Sequence, residues 1–337
     1  MTFDLPAGVD LEAMRAALAR IQPHLVATPL TRLRVGTVPR GKGDVARGIA
    51  DLPVPGDRLP QDVLLKLESL QVSGSFKARG ALNKVLSLSP EVARRGLVTA
   101  SGGNHGLAVA YAGRVVDVPT TVYLPTHTSA AKAARIEGWG ARVVRAGDVW
   151  DDAHAAALAH ATRDGLTYIH PFADAAVVCG QATIALEVLE IAPETDLFIV
   201  AIGGGGLVSG VAAAAKLLRP SIRIIGVEPE GAPTLTESLR ANAVIELQEI
   251  RTAAGTLAPR RSDALNLAII RATVDAIVLV SDDDMRAAAR FLLTEVGIGA
   301  ELSGAAALAA LLTGKIPPGA SHPCALVCGA GSDALPV

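Results

Sequence analysis

The sequence predicts an α/β protein with mostly parallel sheets, each covered by helices on both faces. Three features of the 337 residues carry that expectation. Short runs rich in Val, Ile and Leu recur along the C-terminal three-quarters of the chain. Ala-rich segments of helical length separate them. Gly-rich turns stand where a run gives way to a helix, as βαβ units require.

In chain order, strands are expected at VLLKLE (63–68), GLVTAS (96–101), TTVYLP (120–125), ARVVRAG (141–147) and TYIHP (167–171). They continue with LFIVAI (197–202), RIIGVEP (223–229), AIVLVS (276–281) and CALVCG (324–329). Helical patterns lie between them, such as AVVCGQATIALEVLEI (176–191) and LVSGVAAAAKLLRP (207–220). The Ala-rich stretches read as closely packed helices, since Ala is the best helix former. Thr37 to Pro60 is rich in Gly, Pro and charge and reads as a loop.

Composition narrows the function classes. With 31 basic and 33 acidic residues the chain has no field that invites nucleic acid or anionic lipid. No apolar run approaches the roughly 20 residues that span a bilayer. The opening MTFDLPAGVDLEAMRAALAR lacks a basic region followed by an apolar core, so no secretion signal is expected. Cys179, Cys324 and Cys328 are too few for a disulfide framework and lack zinc-ligand spacing. A cytoplasmic setting and a small-molecule partner are the expectation.

Three strand–turn–helix segments can carry chemistry. GGGGL (203–207) follows the most apolar strand and opens a helix. Glycine lets backbone approach a ligand, and free amides at a positive helix end attract an anion. A tight turn alone does not need four glycines in succession, so Gly203, Gly204, Gly205 and Gly206 are expected to hold a phosphate. The spacing is not G-x-G-x-x-G, which argues against a dinucleotide. In KLESLQVSGSFKARGALNKV (66–85), Ser73, Gly74 and Ser75 are expected to cap a helix with Lys77 in its first turn. The positive helix end lowers the lysine's pKa and favours a neutral, nucleophilic amine. On spacing alone, a lysine there is more often simply solvated. In TASGGNHGLAVAYAG (99–113), Ser101, the loop amides and Asn104 can hold a carboxylate or a ring oxygen. His105 reads as a structural histidine.

In this order and separation, SGSFKARGA (73–81), SGGNHG (101–106) and GGGGL resemble the fold-type II pyridoxal-phosphate enzymes, specifically the serine/threonine dehydratase family. TPL (28–30), the KLE strand, GVEP (226–229), VLVSDDDM (278–285), ELSGAAALAALL (301–312) and LVCGAGSD (326–333) extend the resemblance over nearly the whole chain. It implies a tryptophan synthase β-like α/β fold of two three-layer αβα domains: a large one from 1–89 and 173–337, and a small one, 90–172, inserted in it. Pyridoxal 5'-phosphate would lie between them, held covalently by Lys77, which also takes the substrate's Cα proton. Phe76 would lie against the cofactor ring, Asn104 would bond its 3'-oxygen, and Gly203 to Gly206 would hold its phosphate. Ser101, Gly102, Gly103 and His105 would meet the substrate carboxylate. Cys328 stands where the family places a small polar residue beside the pyridine nitrogen, although Asp333 is near in sequence. The implied reaction is dehydration and deamination of L-threonine or L-serine, by a homodimer.

The sequence departs from the family in several places. Serine racemases carry a second serine where this chain has Gly102, so racemisation is not expected. Relatives that bind a divalent ion use a Glu, a carbonyl and an Asp; here the positions are Glu228, Ala232 and Thr234. Losing the last carboxylate leaves Glu228 only a weak metal candidate, and no metal is expected. The chain stops at Val337, soon after the Cys328 strand, so no C-terminal regulatory domain is expected. Rival readings are a cysteine synthase-like β-replacement enzyme, a 3-hydroxyaspartate or phenylserine dehydratase, and a cofactor-binding regulator without turnover.

Overall fold

The computed structural model describes residues 3–34 and 62–331, so the Thr37–Pro60 loop and Asp333 lie outside the described residues. Among the described residues ten strands form two sheets: β1 (Leu30–Arg34), β2 (Asp62–Lys66), β3 (Leu97–Ala100), β4 (Thr120–Leu124), β5 (Arg142–Arg145), β6 (Thr167–Tyr168), β7 (Leu197–Ala201), β8 (Arg223–Pro229), β9 (Ala276–Val280) and β10 (Pro323–Leu326). One sheet runs β1-β2-β10-β7-β8-β9 and the other β5-β4-β3-β6. All pairings are parallel except β1 with β2.

The expected parallel α/β pattern is therefore present, with three local differences. β1 is missing from the sequence reading because two arginines in five residues, just after Pro29, look like a loop. It is an edge strand, where charge is tolerated because only one side pairs. TYIHP yields only two strand residues, because the His170 ring accepts the amides of Phe172 and Ala173 at 3.2 and 2.7 Å and turns the chain. CALVCG leaves the sheet after Leu326, where Cys328 and Gly329 pair with the loop before Lys77 instead.

β7 is buried at all five residues and forms the centre of the larger core. Helix Leu302–Leu312 packs on β7 to β10 beside helix Asp282–Phe291. A second layer of helices, Leu11–Ile21, Lys77–Leu86, Ala175–Ile191, Gly206–Leu218 and Ala264–Thr273, packs together. Ala and Leu on every side of Leu302–Leu312 fit a helix that is apolar all round and buried. Helices Asn104–Val115 and Trp150–Asp164 pack on β3 and β4. Helix Lys77–Leu86 touches both Ala175–Ile191 and Asn104–Val115. Its Ala81, Leu82 and Val85 share a core with Leu97, Ala108, Val109 and Ile169, so this one helix joins the two sheets.

A buried ion cluster fixes that helix. Arg79 and Glu68 are 0% exposed and Lys66 is 1% exposed. Arg79 donates to Glu68 through Nε at 2.7 Å and to Glu187 through Nη1 at 2.6 Å. Lys66 Nζ reaches Glu187 at 2.7 Å and the Thr28 carbonyl at 2.9 Å. Thr28 Oγ1 completes the Glu68 shell at 2.5 Å. Burial pushes the Glu187 carboxyl up, but Arg79 and Lys66 more than reverse this and hold it below its usual range. Replacing Arg79 by Met would leave two carboxylates facing one cation, at a cost of about 3–5 kcal/mol. The expected result is a large drop in the guanidinium midpoint. Arg32→Ala, at the exposed pairs with Asp62 and Glu194, should cost about 1 kcal/mol or less in the same measurement.

Candidate active site

Lys77 is the first residue of its helix, but the expected cap is absent. Phe76 occupies the N-cap position, and no side chain bonds the first amides. The Ser73–Ser75 loop is stitched to the end of β10 instead, through Phe76 N on the Cys328 carbonyl (3.1 Å) and a bridge between Ser75 and Gly329. Ser73 itself is left-handed (φ 66°). The Lys77 ammonium donates to the Pro171 carbonyl at 2.7 Å and lies 5.1 Å from the centre of the Phe76 ring. Burial lowers its pKa to about 8, against the opposing pull of Cys328 and Glu301. Desolvation disfavours the charged amine, as the positive helix end also does.

The glycine loop lies across the site from Lys77. Gly205 is left-handed (φ 94°), a conformation that costs glycine little and side chains much. Ser262 Oγ and Asn266 Nδ2 hold the Gly204 carbonyl at 2.9 and 3.0 Å, turning it away from the loop's amides. Phe172 packs so closely on Gly204 that a Cβ there would overlap its ring. Among the described residues, the amides of Gly203 to Gly206 have no acceptor.

The third turn joins them. Ser101 Oγ accepts the Gly103 amide at 3.3 Å, which closes the loop. Asn104 Nδ2 donates to Glu301 at 2.7 Å. His105 is buried with Nε2 3.0 Å from the Ile169 carbonyl; burial, then Lys77, push its pKa down to about 3. It is a neutral residue that ties its helix to the segment after β6, in line with the structural reading. Cys328 is buried with Sγ 3.5 Å from the Ser303 carbonyl, and burial pushes the thiol's pKa well up. Glu228 spends one oxygen on the Leu235 amide (2.7 Å) and the other on the amide and hydroxyl of Thr236 (2.9 and 2.7 Å). It caps the start of helix Thr234–Ala241.

Sequence reasoning assigned no role to Glu301, Thr256, Pro171 or Phe172. Thr256 Oγ1 donates to Glu301 at 3.2 Å and shares a hydrogen bond with the Ser303 hydroxyl. The available signal was a lone Glu opening an otherwise apolar Ala-rich helix.

A model of the family described as pyridoxal-phosphate dependent enzyme matches residues 48–329. The chain belongs to this family. It is 38% identical over 251 residues to an L-threonine ammonia-lyase of Thermotoga maritima, covering 74% of this chain but 63% of that protein, less than two thirds of its length. It is 37% identical to a phenylserine dehydratase of Ralstonia pickettii over 84% of this chain and 85% of that one. The solved structure of maize serine racemase superposes with a TM-score of 0.84 at 31% identity, covering 96% of this chain and 94% of that one.

The residues fit the pyridoxal-phosphate family's cofactor. Helices starting at Lys77, Asn104 and Gly206 have no side-chain cap, and contacts around the turns before them connect all three. By contrast, Asp10, Ser89, Ser129, Asp174, Asp263 and Ser281 cap the helices that follow them. Uncapped amides at Gly203–Gly206 suit a phosphate, and a lysine of lowered pKa suits an aldehyde. Uptake of pyridoxal phosphate by the cofactor-free protein needs the neutral amine. Its rate should therefore rise about tenfold per pH unit below the lysine's pKa and level off above about 8. Stopped-flow absorbance reads this directly; a rate still climbing steeply past pH 9 would contradict the lowered pKa.

Proposed function

We propose that this protein is an ammonia-lyase that removes water and then ammonia from a small β-hydroxy amino acid, L-threonine or L-serine, giving 2-oxobutyrate or pyruvate. The observation that carries it is Lys77: an amine of pKa about 8, partly buried, on the Pro171 carbonyl and among uncapped helix starts. The resemblance to an L-threonine ammonia-lyase supports the same reading.

Lys77 would hold the cofactor and would accept the substrate's Cα proton; a pKa near neutral suits both tasks. Bound pyridoxal phosphate supplies the electron sink for the charge left at Cα. Gly203, Gly204, Gly205 and Gly206 would hold the phosphate, Phe76 would lie against the ring, and Asn104 would bond its 3'-oxygen. Ser101 and the Gly102–Gly103 loop orient the substrate carboxylate, with the amides of Gly102 and Asn104 unspent among the described residues. Cys328, neutral and buried, offers the ring nitrogen only a weak hydrogen bond. Without a carboxylate to keep that nitrogen protonated, the bound ring would be a weaker electron sink, which would favour loss of the β-hydroxyl over transamination.

We assign the two sheets to two domains, 1–89 with 173–337 and 90–172, and propose a cytoplasmic homodimer. Among the described residues no helix is long and apolar enough to cross a membrane, and Cys179, Cys324 and Cys328 are free and buried. A second reading is an aryl substrate such as phenylserine. It is favoured by a run of rings, Trp150, His154, Tyr168, His170 and Phe172, with centroids 4.7 to 6.2 Å apart. The run extends from the Ala100 carbonyl, bonded by Trp150, to the glycine loop.

Release of 2-oxo acid from L-serine, L-threonine, D-serine, 3-hydroxyaspartate and phenylserine tests the proposal. Product from L-threonine or L-serine that disappears in Lys77→Ala is the expected result. Product from phenylserine alone would select the second reading. No product from any of the five, in protein carrying its cofactor, would overturn both.

A further inference from the structure

Glu301 is 9% exposed and occupies the N-cap of helix Leu302–Leu312. Its carboxylate is directed at Asn104 Nδ2, 2.7 Å away and 197 residues distant in sequence. Thr256 donates to the same oxygen at 3.2 Å. The backbone makes room for this contact. Glu301 N donates to the Gly329 carbonyl at 3.2 Å, and a Cβ at Gly329 would overlap the Glu301 carboxylate and lie 3.1 Å from Asn104 Nδ2. Asn104 opens a helix on the β3–β4 sheet, whereas Glu301 opens one on the β7–β10 sheet, so the bond ties the sheets together at the site.

An amide side chain can present either its oxygen or its NH2 group to a neighbour, and little distinguishes the two by shape. An ionised carboxylate only accepts, so it settles the choice: the NH2 group faces Glu301. The second N–H of that group then remains for a ligand oxygen. We propose that Glu301 is a positioning residue that fixes the Asn104 amide with its NH2 toward the 3'-oxygen of pyridoxal phosphate. This rests on the assignment of Asn104 to that oxygen made above. Glu301→Gln keeps the shape but removes the constraint, because a glutamine amide can pair with Asn104 in either orientation.

The test is titration of cofactor-free protein with pyridoxal phosphate, followed by absorbance of the bound cofactor across pH, for wild type, Glu301→Gln and Asn104→Ala. Circular dichroism and borohydride trapping at Lys77 report folding and loading. Glu301→Gln should bind the cofactor about tenfold more weakly, 1.4 kcal/mol. It should also shift the bound cofactor's absorbance in the same direction as Asn104→Ala. Should Glu301→Gln fail to fold, Gly329→Ala, which forces the carboxylate and amide apart while retaining both, must show the same spectral shift. An altered spectrum in Asn104→Ala with wild-type affinity and spectrum in Glu301→Gln overturns the inference alone. A wild-type spectrum in Asn104→Ala overturns the assignment of Asn104 as well.

Discussion

Arg79 has no contact with solvent, and a guanidinium in that position must be surrounded by acceptors for the chain to close around it. Glu68 and Glu187 supply them, and Lys66 balances the second carboxylate, so two cations and two anions make a neutral buried group. Three of the four come from the stretch that runs from β2 into the lysine helix; the fourth comes from helix Ala175–Ile191. The arrangement constrains that helix in rotation as well as position, because a guanidinium bonded on several edges cannot turn without losing partners. Lys77 lies two residues earlier on the same first turn. Its reach to the Pro171 carbonyl therefore depends on charges that take no part in the chemistry.

The same helix carries the contact between the two sheets, so the reactive amine stands at their junction. There the protein leaves backbone donors unspent. Helices such as Leu11–Ile21, Ala130–Glu137 and Asp282–Phe291 close their first turn with an Asp or Ser just before them, whereas those that start at Lys77, Asn104 and Gly206 have no side-chain cap. An uncapped start has several amides without partners and a positive end, which suits anionic groups and disfavours a protonated lysine. Burial also lowers the Lys77 pKa. One region thus accommodates phosphate and carboxylate while keeping an amine close to neutral.

Much of this was legible in the chain. The parallel strands were visible because a strand buried on both faces reads as a continuous apolar run, as at β7 and β8. The glycine and lysine turns were visible because close backbone approach demands small residues at fixed places. β1 was not legible, since an edge strand with arginines lacks that pattern. The caps expected from Ser73 and Ser75 were wrong because a serine before a helix signals a cap only if the chain turns the right way, and Ser73 is left-handed with its loop joined to β10.

The sequence by itself determined the layer architecture, the family and the local chemistry of each turn, because these follow from residues close together in the chain. Tertiary structure alone decided what depends on residues far apart. It gave Lys77 the burial that lowers its pKa. It set His105 against the Ile169 carbonyl and gave Glu228 to the start of a helix. It also brought Glu301 to Asn104 across 197 positions. Hydrogen bonds and ion pairs act over a few ångströms in space whatever the separation along the chain, so only the folded arrangement could show them.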